Sequence, residues 1–509
     1  MTTAQLRARA KAALTAALGL TLAASAALAQ NLADLEKRVT EFTLPNGLHF
    51  IILERHQAPV FSAVTYVNAG AANDPAGKAG IAHMFEHMAF KGTPYIGSKN
   101  FTAEKAALDN IEKIYDQLEQ ERRKGPKADQ AKIETLQKSV KDSIEKAFSQ
   151  VEQDAFTRML EENGAVGLNA GTSMDSTVYF MSLPANRLEM WFLLESDRFL
   201  RPVYREFYKE RDVVREEYKM RVESDPQGKL VTALMTTAFA ESPYKVGYAG
   251  IPSDIENLRV EDALAFRKKY YVPSNITIVL AGDIDPKQVR ALAEKHFAAM
   301  PAAPLPPPVI SKEQKQMGEK RVAVEVEAQP MVAIGYKRPD AVHADDPAFD
   351  VLAGVLSQGR TGILYKEMVE KQKVALFAGA FNNFPGSKLE NLMILFIVPN
   401  AGKSIEDSEK AAYAIVDKLK TEKVDAETLK RVKTNLRAQL IRGMNSNLGM
   451  AQSMASAHVT YGSWKKLFQG LEDIDKVTAE DIQRIAKQYL TARNRTVAFL
   501  AKPSTPEAQ

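Results

Sequence analysis

The chain has 509 residues, 45% of them hydrophobic, with 67 Lys and Arg against 63 Asp and Glu for a net charge of +4. So even a balance gives no argument for a nucleic acid or an acidic membrane surface as partner. There is no cysteine, which excludes disulfides and leaves His, Asp and Glu as the only strong metal ligands.

Residues 1–29 have the form of a Sec-type signal peptide. Arg7, Arg9 and Lys11 make a positive start, Ala12 to Ala26 is apolar, and Ala27-Leu28-Ala29 is a small-residue cleavage motif before Gln30. The apolar run is short for a membrane span, and no later segment is long and apolar enough to be one. No cysteine follows the cleavage point, which excludes a lipoprotein anchor. The expected mature chain is periplasmic, starts near Gln30 and carries 64 basic against 63 acidic residues. Its length of about 480 residues is enough for two or more cores.

The mature chain opens with strands. Val39 to Leu44, a Pro45-Asn46-Gly47 turn and Leu48 to Leu53 read as a hairpin, and Val60 to Val67 as a further strand. A helix is expected over Gly77 to Phe90, and it contains His83-Met84-Phe85-Glu86-His87. This is H-x-x-E-H, the inverse order of the zinc-protease signature. Histidines four apart share one helical face, so both imidazoles reach a single metal ion. Glu86 lies on the same face, placed to take a proton from a water at that ion.

An insertion follows, from about Ala103 to Arg158. Leu108, Ile111, Tyr115 and Leu118, then Ile133, Leu136, Val140, Ile144, Phe148 and Val151, recur at helical spacing. Gly125-Pro126 separates the two stretches, so the expectation is an antiparallel helical hairpin, either a solvated spacer or a contact arm. A catalytic zinc needs a third protein ligand. The best candidate segment is the helix with Glu210, Val213, Val214 and Glu217 on one face, where the valines argue for burial and a buried glutamate needs a cation.

Prolines from Pro301 to Pro308 cut the chain near its middle, giving a linker over residues 301–320. The two sides match each other. Glu261-Asp262, Tyr270-Tyr271 and the strand from Asn275 to Ala281 align without a gap onto Glu480-Asp481, Tyr489-Leu490 and Asn494 to Leu500, at a constant offset of 219. Repeated helix–turn–strand units at one offset indicate duplicated halves. Residues 30–300 and 321–502 are the expected domains, followed by a short tail at 503–509. Strands and helices in blocks point to α+β, each half an antiparallel sheet with helices on one face. His49, His56, His296, His343 and His458 lack ligand spacing and are expected to be structural or surface residues.

The chain resembles the pitrilysin and insulin-degrading-enzyme family of zinc metallopeptidases, in particular the subgroup typified by the mitochondrial processing peptidase and its bacterial relatives. The matching runs are Pro45-Asn46-Gly47, Gly80 to Thr93 around the metal motif, Asn169-Ala170 with Thr177-Val178-Tyr179, Glu210 to Glu217, and Ala281 to Pro286. The resemblance implies one Zn2+ per chain held by His83, His87 and Glu217, with Glu86 as general base and Glu210 orienting a ligand histidine. It implies that Asn169, Ala170, Thr177 and Tyr179 belong to a substrate-binding edge strand, and that the halves close like a clam shell around short or unfolded peptides.

One feature of that family is missing. Complete sites also draw an arginine and a tyrosine, seven residues apart, from the C-terminal half; by register those places are Val369 and Leu376. Neither donates a hydrogen bond, and the nearby Arg360 and Tyr365 are out of register. The expectation is therefore a zinc-bearing subunit whose homologous partner supplies the pair. The alternative is a catalytically inactive structural or peptide-binding homologue, against which the intact motif weighs.

Overall fold

The structure is a computed structural model that describes residues 35–503. The expected signal peptide at 1–29 and the tail from residue 504 lie outside the described residues. The first sheet is built from β1 (Val39–Thr43), β2 (His49–Glu54), β3 (Val60–Val67), β4 (Val166–Thr172), β5 (Thr177–Pro184) and β6 (Ile276–Gly282), in the order β1-β2-β6-β3-β5-β4. The second contains β7 (Lys320–Glu325), β8 (Val332–Arg338), β9 (Ala375–Phe384), β10 (Asn391–Pro399) and β11 (Arg495–Ala501), in the order β7-β11-β8-β10-β9.

Apart from the extra β1, the two orders are the same pattern. Each sheet is antiparallel except for one parallel pair, β2 with β6 and β7 with β11. One interior strand of each sheet, β6 and β11, is the segment that repeats in sequence at offset 219. The protein is thus α+β with two related halves, as the sequence indicates.

The central strands are apolar without alternation, and the packing explains it. Phe50, Ile52, Phe61, Met181, Ile278 and Leu280 face the helices of their own half. Their neighbours Ile51, Leu53, Val64, Val279 and Ala281 face the other way, because strand side chains alternate between faces. That second face lies beneath a helix from the opposite half, Asn447–Tyr461, which contributes Met450, Ala451, Met454 and Ala455. The second sheet receives the reciprocal cover: Leu230, Leu234 and Ala238 of Pro226–Ala238 lie against Ala333, Leu392, Ala498 and Leu500. The expected helices on one face are therefore each half's own, and the other half supplies the second layer.

The first half contains α1 (Ile81–Met88), α2 (Phe101–Arg122), α3 (Gln130–Phe148), α4 (Phe207–Tyr218) and α5 (Pro226–Ala238), and the second half contains α6 (Asp346–Ser357) and α7 (Asn447–Tyr461). The insertion is the expected hairpin of α2 and α3, but it does not project freely. Arg205 Nε donates to the buried Glu104 at 2.7 Å, Tyr208 Oη donates to Glu112 at 2.7 Å, and the Tyr115 and Tyr208 rings stack at 4.1 Å. These contacts seat the hairpin against α4 and the turn before it.

Candidate metal centre

Helix α1 is shorter than its apolar pattern predicts. Gly80 takes φ 104, and the Asp74 carboxylate accepts from the backbone N–H of Gly80 at 2.6 Å and of Ala82 at 3.0 Å. Two helix-end donors are thereby satisfied by one side chain. Burial pushes the Asp74 carboxyl up to about 8, against the pull of those two N–H groups. Ile81, Ala82, Met84, Phe85 and Met88 are buried, which leaves the remaining face of the helix for His83, Glu86 and His87.

That face meets α4. His83 Nε2 lies 3.7 Å from Glu217 Oε2, and His87 Nε2 lies 3.8 Å from Glu217 Oε1. The two imidazoles stand nearly at right angles, 86° apart with centroids at 4.9 Å, so lone pairs from both rings can meet at one point. One donor atom from each of His83, His87 and Glu217 falls within 4.8 Å of the others. Glu217 Oε2 is buried and makes no hydrogen bond within the protein, which leaves its lone pairs available to a metal ion. Two imidazoles and a carboxylate suit zinc, and three protein ligands leave a position open for chemistry.

Glu210 sits behind His87, its Oε2 3.2 Å from Nδ1, while Lys91 Nζ reaches Oε1 at 2.5 Å. Burial alone would raise the Glu210 carboxyl; His87 and Lys91 outweigh it and hold it down to about 2. A carboxylate on Nδ1 fixes the tautomer and leaves Nε2 as the ligand atom. His83 has no such support, since its Nδ1 lacks a partner; burial, with His87 and Arg221 nearby, lowers it to about 3. Burial raises the Glu86 carboxyl, against the hydroxyl of Thr172, which donates to Oε2 at 2.6 Å, and against His87.

Thr172 ends the edge strand β4, so Glu86 is tied to the strand expected to carry substrate. No other described strand pairs with the outer side of β4, and Asn169 and Ala170 lie along it. Thr177 and Tyr179 are a correction. The chain turns at residues 173–176, so both sit on the inner strand β5, where Thr177 is 0% and Tyr179 1% exposed. Tyr179 Oη pairs with Tyr271 Oη at 2.8 Å, and Thr177 Oγ1 donates to Ala69 O. They support the edge strand from below and have no open edge to offer a peptide. Val213 also departs from expectation: Val214 is buried, but Val213 is 40% exposed, because the buried arc of α4 is narrower than its apolar pattern.

Two neighbours were not singled out in the sequence. Arg221, one turn beyond Glu217, lies 3.4 Å from its Oε2 and donates to Tyr248 Oη at 3.0 Å. The Tyr248 ring is 6.1 Å from that of His83. A position four residues after a ligand on a helix was the one available signal. In the second half Val369 packs half-buried against the core, and Leu376 is 56% exposed on the edge strand β9.

Comparison with known proteins places these features in a wider group. Residues 50–112 match the insulinase profile of peptidase family M16, a span that includes His83, Glu86 and His87. Residues 257–436 match the profile described as the M16 inactive domain; Glu210 and Glu217 fall between the two. The zinc protease PqqE of Helicobacter pylori is 27% identical over 470 residues, covering 90% of this chain and 91% of that protein. The β subunit of the mitochondrial-processing peptidase of Lentinula edodes is 21% identical, covering 90% and 88%. The crystal structure of a protease from Helicobacter pylori superposes with a TM-score of 0.76 at 25% identity, covering 91% of this chain and 99% of that one. Among the described residues, no helix is long and apolar enough to cross a membrane.

Proposed function

The chain belongs to the M16 family of peptidases, and we propose that it is a zinc-dependent endopeptidase acting on short or unfolded peptides in the periplasm, as the zinc-bearing subunit of a heterodimer. The observation that carries this reading is the convergence of His83, His87 and Glu217 beside a base, Glu86, that is anchored to an open strand edge by Thr172. Zinc held by those three residues supplies a Lewis acid for the scissile carbonyl.

The chain's own residues do the rest. The main chain of β4 at Asn169 and Ala170 pairs with an extended peptide, which selects for substrates without fixed tertiary structure. Glu86 takes a proton from the attacking water and passes it to the leaving amine. Glu210 keeps His87 oriented throughout. Stabilising the developing oxyanion takes hydrogen-bond donors, which Val369 and Leu376 cannot provide. A homologous partner carrying an arginine and a tyrosine fills that need.

A second reading follows from Arg221 and Tyr248. Their hydrogen-bonded pair stands beside Glu217 and His83, so a single chain could supply the donors itself. One experiment separates the two readings: peptide hydrolysis by the mature chain with zinc, alone and mixed with a homologous partner, with Glu86→Gln as the blank. Activity only in the mixture supports the divided site. Strong activity alone, lost on Tyr248→Phe, supports the single-chain site. No activity in either arm, with zinc bound, points to the inactive homologue.

A further inference from the structure

We propose that Glu41, His49 and His458 form a second metal site, suited to zinc or a similar divalent ion, that bridges the two halves. The site stands on its own geometry and does not depend on the peptidase reading. Residues far apart in sequence build it. Thr43 on β1 is directly opposite His49 on β2, and Glu41 is two residues along on the same face of β1. His458 comes down onto this hairpin from the last turn of α7. One donor atom from each of the three lies within 4.8 Å of the others, the same span as at the His83 centre.

The outer contacts of the ligands are already in place. Thr43 Oγ1 is 3.0 Å from His49 Nδ1, which fixes the ring and turns Nε2 toward the cluster. The indole N–H of Trp464 donates to Glu41 Oε1 at 2.6 Å, leaving Oε2 3.4 Å from His49 Nε2. Metal-ligating imidazoles and carboxylates are characteristically held by such second contacts. Nδ1 of His458 is buried without a hydrogen-bond partner, and Nε2 of His49 is buried with only the Glu41 carboxylate, at 3.4 Å, beside it. Buried polar atoms are rarely left unsatisfied, and here both lie in one cluster with a carboxylate. Nitrogen and carboxylate donors favour zinc, copper or nickel over calcium or magnesium.

The rings define how the site fills. They stack face to face, 4.4 Å apart and 9° from parallel, whereas the imidazole lone pair lies in the ring plane. Parallel rings cannot both aim at one ion, so binding turns one ring about its Cβ–Cγ bond and breaks the stack. The ion then joins the β1–β2 hairpin of the first half to a helix of the second. Glu41 is exposed, so water completes the coordination.

The test is zinc stoichiometry by equilibrium dialysis and metal analysis on the metal-stripped full chain. The expected result is two ions per wild-type chain, one in His458→Gln and in His49→Gln, and one in the double variant His83→Gln with His87→Gln. Circular dichroism confirms that each variant is folded. A wild-type chain that binds one ion, unaffected by His458→Gln or His49→Gln, overturns the second site. One ion that survives the His83/His87 double variant but not His458→Gln supports the second site and removes the catalytic one, so the two conclusions fail separately.

Discussion

In the first half, the helix that follows β3 presents His83, Glu86 and His87; in the second half, the helix that follows the equivalent strand β8 is α6, which buries Ala348, Phe349, Val351, Leu352, Val355 and Leu356. The acids of α6 have protein partners: Asp346 accepts from Arg338 at 2.5 Å, and Asp350 accepts from Asn382 at 2.8 Å. Burial and the neighbouring Asp346 push Asp350 up to about 6. A cavity of about 1300 Å³ remains beside α6, lined in part by Asp346, Asp350 and Tyr461. The same strand order thus carries a metal-ready helix once and a self-satisfied helix once. Two-sided burial constrains the strands in both copies, whereas a few residues on one helix face decide the chemistry and can change without disturbing the sheet.

The sharpest break of that comparison is Glu86→Gln. Turnover is expected to fall about 10²–10⁴-fold, the usual worth of a general base, with zinc content unchanged; loss of zinc as well would make Glu86 a ligand instead. Asp350→Asn, on the equivalent helix, should leave turnover as it was. Next in size are the exchanged helices. Leu234→Ala on α5 empties a fully buried position under the second sheet and should cost about 2–5 kcal/mol in urea unfolding. Met454→Ala on α7, under the first sheet, should cost an amount in the same range. A large effect at one and none at the other would show that the cover is not reciprocal.

How much of this was readable beforehand follows from the range of each signal. Val60 to Val67 is a strand with the predicted ends, and the repeat at offset 219 marks equivalent central strands, because local patterns report local structure. The metal motif was readable since its spacing is fixed within one helix. Glu217 needed the family resemblance, because nothing in the sequence says which face of α4 meets α1. The family resemblance puts Thr177 and Tyr179 on the edge strand, but the turn at 173–176 carries them one strand inward, and alternation cannot say which strand is outermost. His49 and His458 looked unrelated, being brought together only when α7 crosses onto the other half. The exchange of helices explains the apolar runs of the strands, but those runs say only that both faces are buried, and not which half supplies the cover.

A smaller effect is expected at Glu210, which lies behind His87 on α4. Glu210→Gln removes the charge behind His87 and should weaken zinc binding about 10–100-fold, measured by competition with a chelator. Turnover at saturating zinc should change much less, since the base and the three ligands remain. An equal loss at all zinc concentrations would give Glu210 a role in the reaction itself.

The least of the effects tests what keeps the two unlike halves in register. Glu313 lies in the proline-rich connection, and its carboxylate accepts from the backbone N–H of Ala240, Glu241 and Ser242 in the first half and from Lys337 Nζ, at 2.7 Å, in the second. Burial alone would raise this carboxyl, but Lys337 and the three N–H groups hold it down to about 2. A folded-state value below that of the unfolded chain means the stabilisation is present above the ordinary glutamate range and is lost as pH falls toward about 2. Glu313→Gln should therefore cost about 1–3 kcal/mol near neutral pH, and the gap from wild type should narrow below about pH 4.5 and close near pH 2. If the gap is independent of pH, the carboxylate's charge contributes nothing to joining the halves, and the exchanged helices carry that role.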